Sequence, residues 1–156
     1  MLLLGNFQHT LDDKNRIRLP ADFRKEMGDS YYLMPGNNGG IFVYKADDSH
    51  KVIEQLLSLD GLNPERSLEM EFITAYSRSV TADNQGRFML PEDLIEMMEI
   101  KKDVHIVGAT TKVVIWSEER WQEMFVRKEK LTPEKINRIY SSLDQELIRR
   151  EKARKL

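Results

Sequence analysis

The chain has no cysteine in its 156 residues. Disulfide bridges, thiolate metal sites and cysteine nucleophiles are therefore excluded, and a reducing cytoplasmic environment is consistent with the composition. The histidines His9, His50 and His105 lie far apart, and none has the spacing of a metal-binding motif. We therefore expect neither a metal nor another cofactor.

Long apolar runs are also lacking. No stretch approaches the ~20 apolar residues that cross a bilayer. The run Met1-Leu2-Leu3-Leu4 stops at Gly5 with no basic segment before it, so we predict an opening β-strand and not a signal peptide. We expect a soluble, cytoplasmic protein with no membrane partner.

A strong excess of one charge is missing as well. The 24 basic and 26 acidic side chains leave a net charge of −2. The overall field of such a chain does not attract nucleic acid, because affinity needs Lys and Arg clustered toward phosphates. A DNA function would require local basic patches, or one patch repeated in an assembly.

The most informative feature is an internal repeat. Residues 12–20, DDKNRIRLP, resemble residues 83–91, DNQGRFMLP, which lie 71 positions later. Asp, Arg, Leu and Pro recur in register. Each copy predicts a polar turn, an apolar strand and a proline that opens a short helix, and Gly28 is placed to end the first of these helices.

The surroundings of the two motifs repeat too. Each short helix is followed by two strands joined by a turn, and then by an amphipathic helix. The predicted strands are 31–34 and 41–44 in the first copy and 104–107 and 113–116 in the second. The predicted apolar helix faces are Val52, Ile53, Leu56 and Leu57 in the first copy, and Trp121, Met124 and Phe125 after the N-cap Ser117 in the second.

These patterns predict an α+β fold. One copy of about fifty residues is too small to close a sheet around its own core. We therefore expect one pseudo-two-fold β-barrel built from both copies, since closure would also remove exposed strand edges. The predicted divisions are a first unit at 6–53, a connecting helix and strand at 54–79, a second unit at 80–123 and a helical extension at 124–156.

Two further helices are expected outside the repeats. After the turn-rich break at residues 60–64, the segment from Pro64 to Ala75 predicts a helix that leads into a strand at 76–81. Near the C-terminus, Thr132 is a good N-cap with Pro133 at the first helical position. The later helix carries a narrow apolar stripe suited to the barrel or to a neighbouring subunit: Ile136, Ile139, Leu143 and Leu147. We interpret the basic tail at 149–155 as a solvated end in preference to a phosphate contact.

The repeated motif has a definite chemistry. A short Asp12 can bond to backbone amides one or two residues on and stabilise the turn. Asn15 and Gly86 occupy equivalent places, and both residue types tolerate positive φ. The next residue, Arg16 or Arg87, would project from a rigid turn toward a guanine edge or a phosphate.

Other cations lie near Arg16. Lys14, Arg18 and Arg24 are close in sequence, and strand alternation puts Arg16 and Arg18 on one face. A plainer interpretation is a turn held by its own Asp–Arg ion pair with no further role. The presence of two copies in register favours a functional role without deciding it.

The runs HTLDDKNRIRLPADFR, TADNQGRFMLPEDL and VVIWSEERW resemble the MraZ family of transcriptional regulators over roughly residues 1–127. The resemblance implies two SpoVT-AbrB-like units with swapped hairpins that assemble into rings. It also implies sequence-specific binding to repeated promoter boxes upstream of the division and cell-wall gene cluster, and hence association with the nucleoid.

The resemblance also assigns residues. Asp12, Lys14 and Arg16 match the family's first DNA-contacting motif, and Asp83, Gly86 and Arg87 match the second. Asn15 stands where that first motif usually has glycine, and Gln85 replaces a basic residue in the second. The expected DNA-binding side chains are Lys14, Arg16, Arg18, Arg24 and Arg87, with the first unit dominant, and the expected turn-forming residues are Asp12, Asn15, Asp83 and Gly86.

The sequence also bears on two other functional classes. An AbrB-like antitoxin or protein-interaction module usually carries one unit and a disordered tail, whereas this chain has two units and an ordered C-terminal pattern. An enzyme is disfavoured because adjacent carboxylates such as Asp12 and Asp13 point to opposite faces of a strand. The glycines at 36–40 lack the Lys-Ser/Thr of a phosphate-binding loop.

Overall fold

The computed structural model describes residues 1–57, 63–128 and 130–156, without the side chains of residues 48, 49, 52, 56 and 57. The chain forms two compact units, Met1–Arg120 and Trp121–Leu156. Ile53 of the predicted apolar helix face is buried. The side chains of the other members of that face (Val52, Leu56 and Leu57) and residues 60–62 of the break lie outside the described part of the chain.

The first unit alternates short strands and helices in two similar halves. The first half comprises β1 Asn6–Thr10, β2 Arg16–Arg18, α1 Ala21–Met27, β3 Ser30–Pro35, β4 Ile41–Lys45 and α2 Ala46–Leu57. After α3 Pro64–Ala75, the second half comprises β5 Arg78–Thr81, β6 Arg87–Met89, α4 Glu92–Met97, β7 Asp103–Gly108, β8 Val113–Ser117 and α5 Glu118–Trp121.

The two halves exchange strands. The main sheet has six antiparallel strands in the order β1-β7-β8-β4-β3-β5, and β2 pairs with β6 in a separate ribbon. The opening strand of each half thus pairs with the hairpin of the other half. Interchanging equivalent strands gives the same order read backwards, so the pairing pattern has two-fold symmetry.

The closed barrel expected from the sequence is not what the strand pairing gives. Within the described residues, β1 and β5 are the two edges of the six-stranded sheet, and the sheet is not closed. The physical reason is that the backbone groups of β2 and β6 form hydrogen bonds with each other and not with the six-stranded sheet. The ribbon therefore contributes apolar side chains to the core without joining the two sheet edges.

The core lies among the sheet, the ribbon and the helices α1 and α4. Phe88 of the ribbon packs edge-on against Tyr31 of β3, with ring centroids 5.1 Å apart. Phe23 of α1 contacts Phe7 in the same way at 5.3 Å. The burial of apolar surface, which stabilises the fold by about 25 cal/mol per Å², is the main stabilising contribution here. The fully buried members include Leu19, Met27, Leu33, Ile41, Leu90, Leu94, Ile106 and Ile115.

Several helix ends lie where the sequence predicted them. Pro20 precedes α1, and Gly28 ends it at φ 68°. The hydroxyl of Ser117 accepts a hydrogen bond from the Arg120 N–H at 3.1 Å, which confirms it as an N-cap. Two strands begin later than predicted, since β1 starts at Asn6, with only a single bridge at Leu3, and β5 starts at Arg78.

The second unit is helical. Residues Gln122–Lys128 form a π-helical segment within the region predicted as an amphipathic helix, and Trp121 stacks on Phe125 with ring centroids 4.4 Å apart. The helix α6 covers Pro133–Arg154, and its N-cap Thr132 accepts from the Lys135 N–H as predicted. No helix of the described residues is long and apolar enough to span a membrane.

Candidate nucleic-acid interface

The first repeat motif is a turn organised by one carboxylate. Asp12 Oδ1 accepts hydrogen bonds from the backbone N–H groups of Lys14 and Arg16, at 3.0 and 2.8 Å. Asp12 Oδ2 accepts from Arg16 Nε at 2.7 Å. The backbone N–H of Asn15 donates to the Asp12 carbonyl at 3.0 Å, which closes the turn. One short side chain therefore holds both the backbone reversal and the arginine.

The second motif repeats this geometry. Asp83 Oδ1 accepts from the backbone N–H groups of Gln85 and Arg87, both at 2.9 Å. Asp83 Oδ2 accepts from Arg87 Nε at 3.1 Å. The Gly86 N–H donates to the Asp83 carbonyl at 2.9 Å. The sequence similarity of the two motifs thus corresponds to the same set of hydrogen bonds.

Both carboxylates remain ionised to lower pH than usual. For Asp12 the largest cause of the lowered pKa is the hydrogen bond from the Arg16 backbone, supported by the Arg16 side chain and the Lys14 N–H. For Asp83 the lowered pKa is caused first by the Arg87 backbone and then by Gln85 and the Arg87 charge. Each hydrogen bond favours the charged form of its acceptor.

The steric prediction for the turn is confirmed. Asn15 has φ 58° and Gly86 has φ 78°, both in the left-handed region that most side chains avoid. Asparagine in the first turn is therefore compatible with a glycine-type conformation. Gly86 also has a second constraint, because an added Cβ would lie 2.8 Å from Arg24 Nη1.

The ribbon separates apolar from cationic side chains. Ile17 and Phe88 lie opposite each other and are buried in the core. Arg18 lies directly opposite Arg87, whereas Arg16 lies opposite Met89. Arg16 and Arg18 flank the buried Ile17, as strand alternation predicted.

The two motif arginines are less exposed than the sequence suggested. The Arg16 and Arg87 side chains retain 28% and 29% of their accessible surface. The expected projection into solvent is thus limited, because each Nε is drawn back to its own aspartate. The ion pair of the plainer interpretation is present, and the guanidinium groups are still partly accessible.

Arg24 connects the two halves. The equivalent position in the second half, 71 residues later, is occupied by Ile95, so the second half lacks an equivalent cation. The Arg24 guanidinium lies against Gly86 of the second turn, and Arg24 Nε is buried with no hydrogen-bond partner among the residues that the structure describes. The second turn therefore gathers Arg18 and Arg24 from the first half beside its own Arg87.

The sequence interpretation missed the proximity of His9. This half-buried side chain of β1 lies beside Arg18, and burial is the main cause that lowers its pKa, with the Arg18 charge acting in the same direction. Alternation along β1 would have placed His9 on the half-buried face with Phe7. The sequence did not indicate that Arg18 of β2 lies beside it, because β1 and β2 are not hydrogen-bonded neighbours.

The cationic side chains around the two turns are accessible to an anionic ligand. Lys14 and Arg18 are exposed, and Arg16, Arg24 and Arg87 are partly exposed. Like charges directly opposite each other on a ribbon are destabilising, so Arg18 and Arg87 would gain from a shared anionic ligand. Among the described residues, no group of three His, Asp or Glu side chains could hold a metal ion.

Comparisons with known proteins add a second line of observation. The family model described as "MraZ protein, putative antitoxin-like" matches residues 2–68 and 73–138, beyond the resemblance seen over 1–127. The "Transcriptional regulator MraZ" of Clostridium acetobutylicum is 35% identical over 122 residues, 78% of this chain and 86% of that protein.

Two further relatives carry the same name. The protein of Caldanaerobacter subterraneus subsp. tengcongensis is 36% identical over 78% of this chain and 85% of its own length. The protein of Caldicellulosiruptor saccharolyticus is 33% identical over 135 residues, which cover 86% of this chain and 94% of that protein. The similarity therefore includes both repeat motifs and extends into α6 in the family match.

Proposed function

Because this chain belongs to the MraZ family, whose named relatives are transcriptional regulators, we propose that it binds double-stranded promoter DNA with the cationic side of the β2–β6 ribbon. The family membership confirms the prediction of a transcriptional regulator and not an enzyme. The protein recognises repeated promoter boxes as a ring-shaped homo-oligomer, and it is located in the cytoplasm at the nucleoid.

The observation that carries the proposal is the doubled turn at the two ends of one ribbon. The first turn presents Lys14 and Arg16, with Met89 opposite Arg16. The second turn holds three arginines together, of which two come from the first half. We therefore assign the second turn mainly to phosphate contacts, and Arg16 to reading a base edge.

This division has different physical consequences for the two turns. A phosphate contact is independent of sequence and releases counterions, so each one changes the salt slope of binding by roughly 0.9. An arginine that pairs with a guanine edge contributes roughly 1–3 kcal/mol of discrimination between sequences. Loss of Arg16 should therefore reduce specificity, and loss of Arg87 should reduce affinity on all DNA alike.

Assembly would convert a few weak contacts into useful affinity. One ribbon offers only a few phosphate contacts, and the net charge of −2 gives no general attraction to DNA. Several ribbons on one particle that meet repeated boxes on one DNA would bind with avidity. The boxes should then recur at about one helical turn, ~10 base pairs, or the DNA must bend.

The proposal is tested by titrating fluorescent DNA from upstream of the protein's own gene, and scrambled DNA, with four proteins: wild type, Arg16→Ala, Arg87→Ala and the control Arg127→Ala, an exposed arginine outside the ribbon. We expect Arg16→Ala to lose preference for the upstream DNA while its circular dichroism spectrum is unchanged. Arg87→Ala should weaken binding less, because Arg18 and Arg24 remain at that turn.

Unchanged binding and specificity in both ribbon variants would overturn the proposal. A matching loss in Arg127→Ala would also overturn the assignment, because it would point to a general charge effect. The antitoxin alternative makes a different prediction. In that case the chain would co-purify with a small partner protein, and Arg16→Ala would leave that complex intact.

A further inference from the structure

The outward side of the β2–β6 ribbon carries one large apolar side chain among its cations. Each strand has a buried central residue, and the four residues beside these face away from the core: Arg16, Arg18, Arg87 and Met89. The Met89 side chain is 56% exposed. Burial in the core therefore does not explain why this place has a methionine.

The repeat provides a comparison for this position. Positions 71 residues apart are equivalent in the two halves, and the equivalent of Met89 is Arg18. Arg18 lies opposite Arg87 at the second turn, whereas Met89 lies opposite Arg16 at the first. The two ends of the ribbon therefore differ in chemistry, because one end pairs two arginines and the other pairs an arginine with an apolar chain.

This difference corresponds to two kinds of DNA contact. A phosphate attracts an arginine but not a methionine, whose thioether has no charge and is only a weak acceptor. The apolar group that DNA exposes in its major groove is the C5 methyl group of thymine. Single exposed apolar residues are common on protein surfaces, but Met89 lies on the surface to which we assign the DNA, directly opposite the arginine assigned to a base edge.

Met89 and Arg16 are close enough to read neighbouring base pairs. Residues directly opposite each other on antiparallel strands have Cβ atoms roughly 4.5–5.5 Å apart, and successive phosphates of one DNA strand are about 3.4 Å apart along the helix axis. A two-stranded ribbon fits in the major groove, which is about 12 Å wide. The unbranched, flexible methionine side chain can adjust to the position of a methyl group.

We propose that Met89 is a specificity-determining residue that contacts the C5 methyl group of a thymine beside the guanine read by Arg16. This inference rests on the proposed function and adds to it a second base that the first turn selects. The two side chains recognise different properties of the DNA, because arginine pairs with acceptor atoms and methionine covers an apolar group.

Removal of the methyl group from the DNA tests this contact. Upstream DNA is prepared with thymidine and, in parallel, with deoxyuridine, which pairs with adenine in the same way but lacks the C5 methyl group. Both DNAs are titrated with wild type, Met89→Ala, Met89→Arg and the control Met97→Ala, an exposed methionine of α4 outside the ribbon. The ratio of the two dissociation constants is compared between proteins, so that effects of uracil on the DNA itself cancel.

Wild type and Met97→Ala should bind the uracil DNA roughly fourfold more weakly for each thymine contacted, which is the change expected for burial of one methyl group. Met89→Ala should bind the two DNAs with nearly equal affinity. Met89→Arg, which copies Arg18, should also lose the methyl preference. It should bind scrambled DNA more tightly than wild type does, because the added arginine attracts phosphates.

Two results would overturn the inference alone. Equal binding of both DNAs by wild type, together with a preference for upstream over scrambled DNA, would mean that no methyl group is contacted. An unchanged ratio in Met89→Ala would mean that another residue makes the contact. If wild type binds scrambled DNA as tightly as upstream DNA, the proposed function fails, and the role of Met89 fails with it.

Discussion

Gly86 allows the most direct test of how the turn produces the cationic surface. It is buried at φ 78°, and alanine in the left-handed region costs about 1–2 kcal/mol. The new Cβ would also lie 2.8 Å from Arg24 Nη1. That atom is the end of a flexible side chain, so its displacement adds little to the loss of stability. It does, however, move the guanidinium away from the turn.

Gly86→Ala should therefore lower the free energy of unfolding by about 1–2 kcal/mol and also weaken DNA binding. Urea unfolding followed by circular dichroism measures the first effect, and a DNA titration at several salt concentrations measures the second. Gly86→Asn separates the two causes, because asparagine tolerates positive φ but meets the same arginine. It should retain more stability than Gly86→Ala while binding DNA as weakly.

Asn15→Gly is the matched control, because it places glycine in the other turn at φ 58°. Its stability should change by no more than about 0.5 kcal/mol, and its DNA binding should be maintained. Wild-type stability and wild-type DNA affinity in Gly86→Ala would refute the account of the second turn. Equal DNA binding by wild type and Gly86→Asn would refute the role given to the position of Arg24.

Two further predictions concern the ribbon. Phe88 is buried against Tyr31, so Phe88→Ala should lower the free energy of unfolding by about 3–5 kcal/mol. Met89→Ala, which changes the exposed neighbouring residue, should alter the free energy of unfolding by about 0.5 kcal/mol or less. Urea unfolding of both variants measures these effects, and equal effects would contradict the described core. The lowered pKa values of Asp12 and Asp83 mean that these carboxylates stabilise the fold above their ordinary value near 4, and that this contribution is lost as the pH falls below it. Asp83→Asn should therefore flatten the decline of the urea midpoint on acidification, and an unchanged pH profile would contradict the hydrogen bonding of the turn.

The sequence alone determined the local features of this protein. The positive φ at Asn15 and Gly86, the helix ends at Gly28 and Thr132, and the two equivalent turns were predicted correctly. These features depend on interactions among residues a few positions apart, such as an Asp carboxylate with the next backbone amides. Such interactions are nearly the same wherever the segment lies in a fold.

The tertiary structure decided which distant residues meet. It exchanges β1 and β5 between the halves, pairs β2 with β6 and leaves the six-stranded sheet open, where a closed barrel was expected. It also places Arg24 against Gly86, although 62 positions separate them. Alternation of apolar residues assigns each strand a buried face but does not specify its partner. Strand pairing depends on how the whole core packs, so the cationic surface emerges only when both halves fold together.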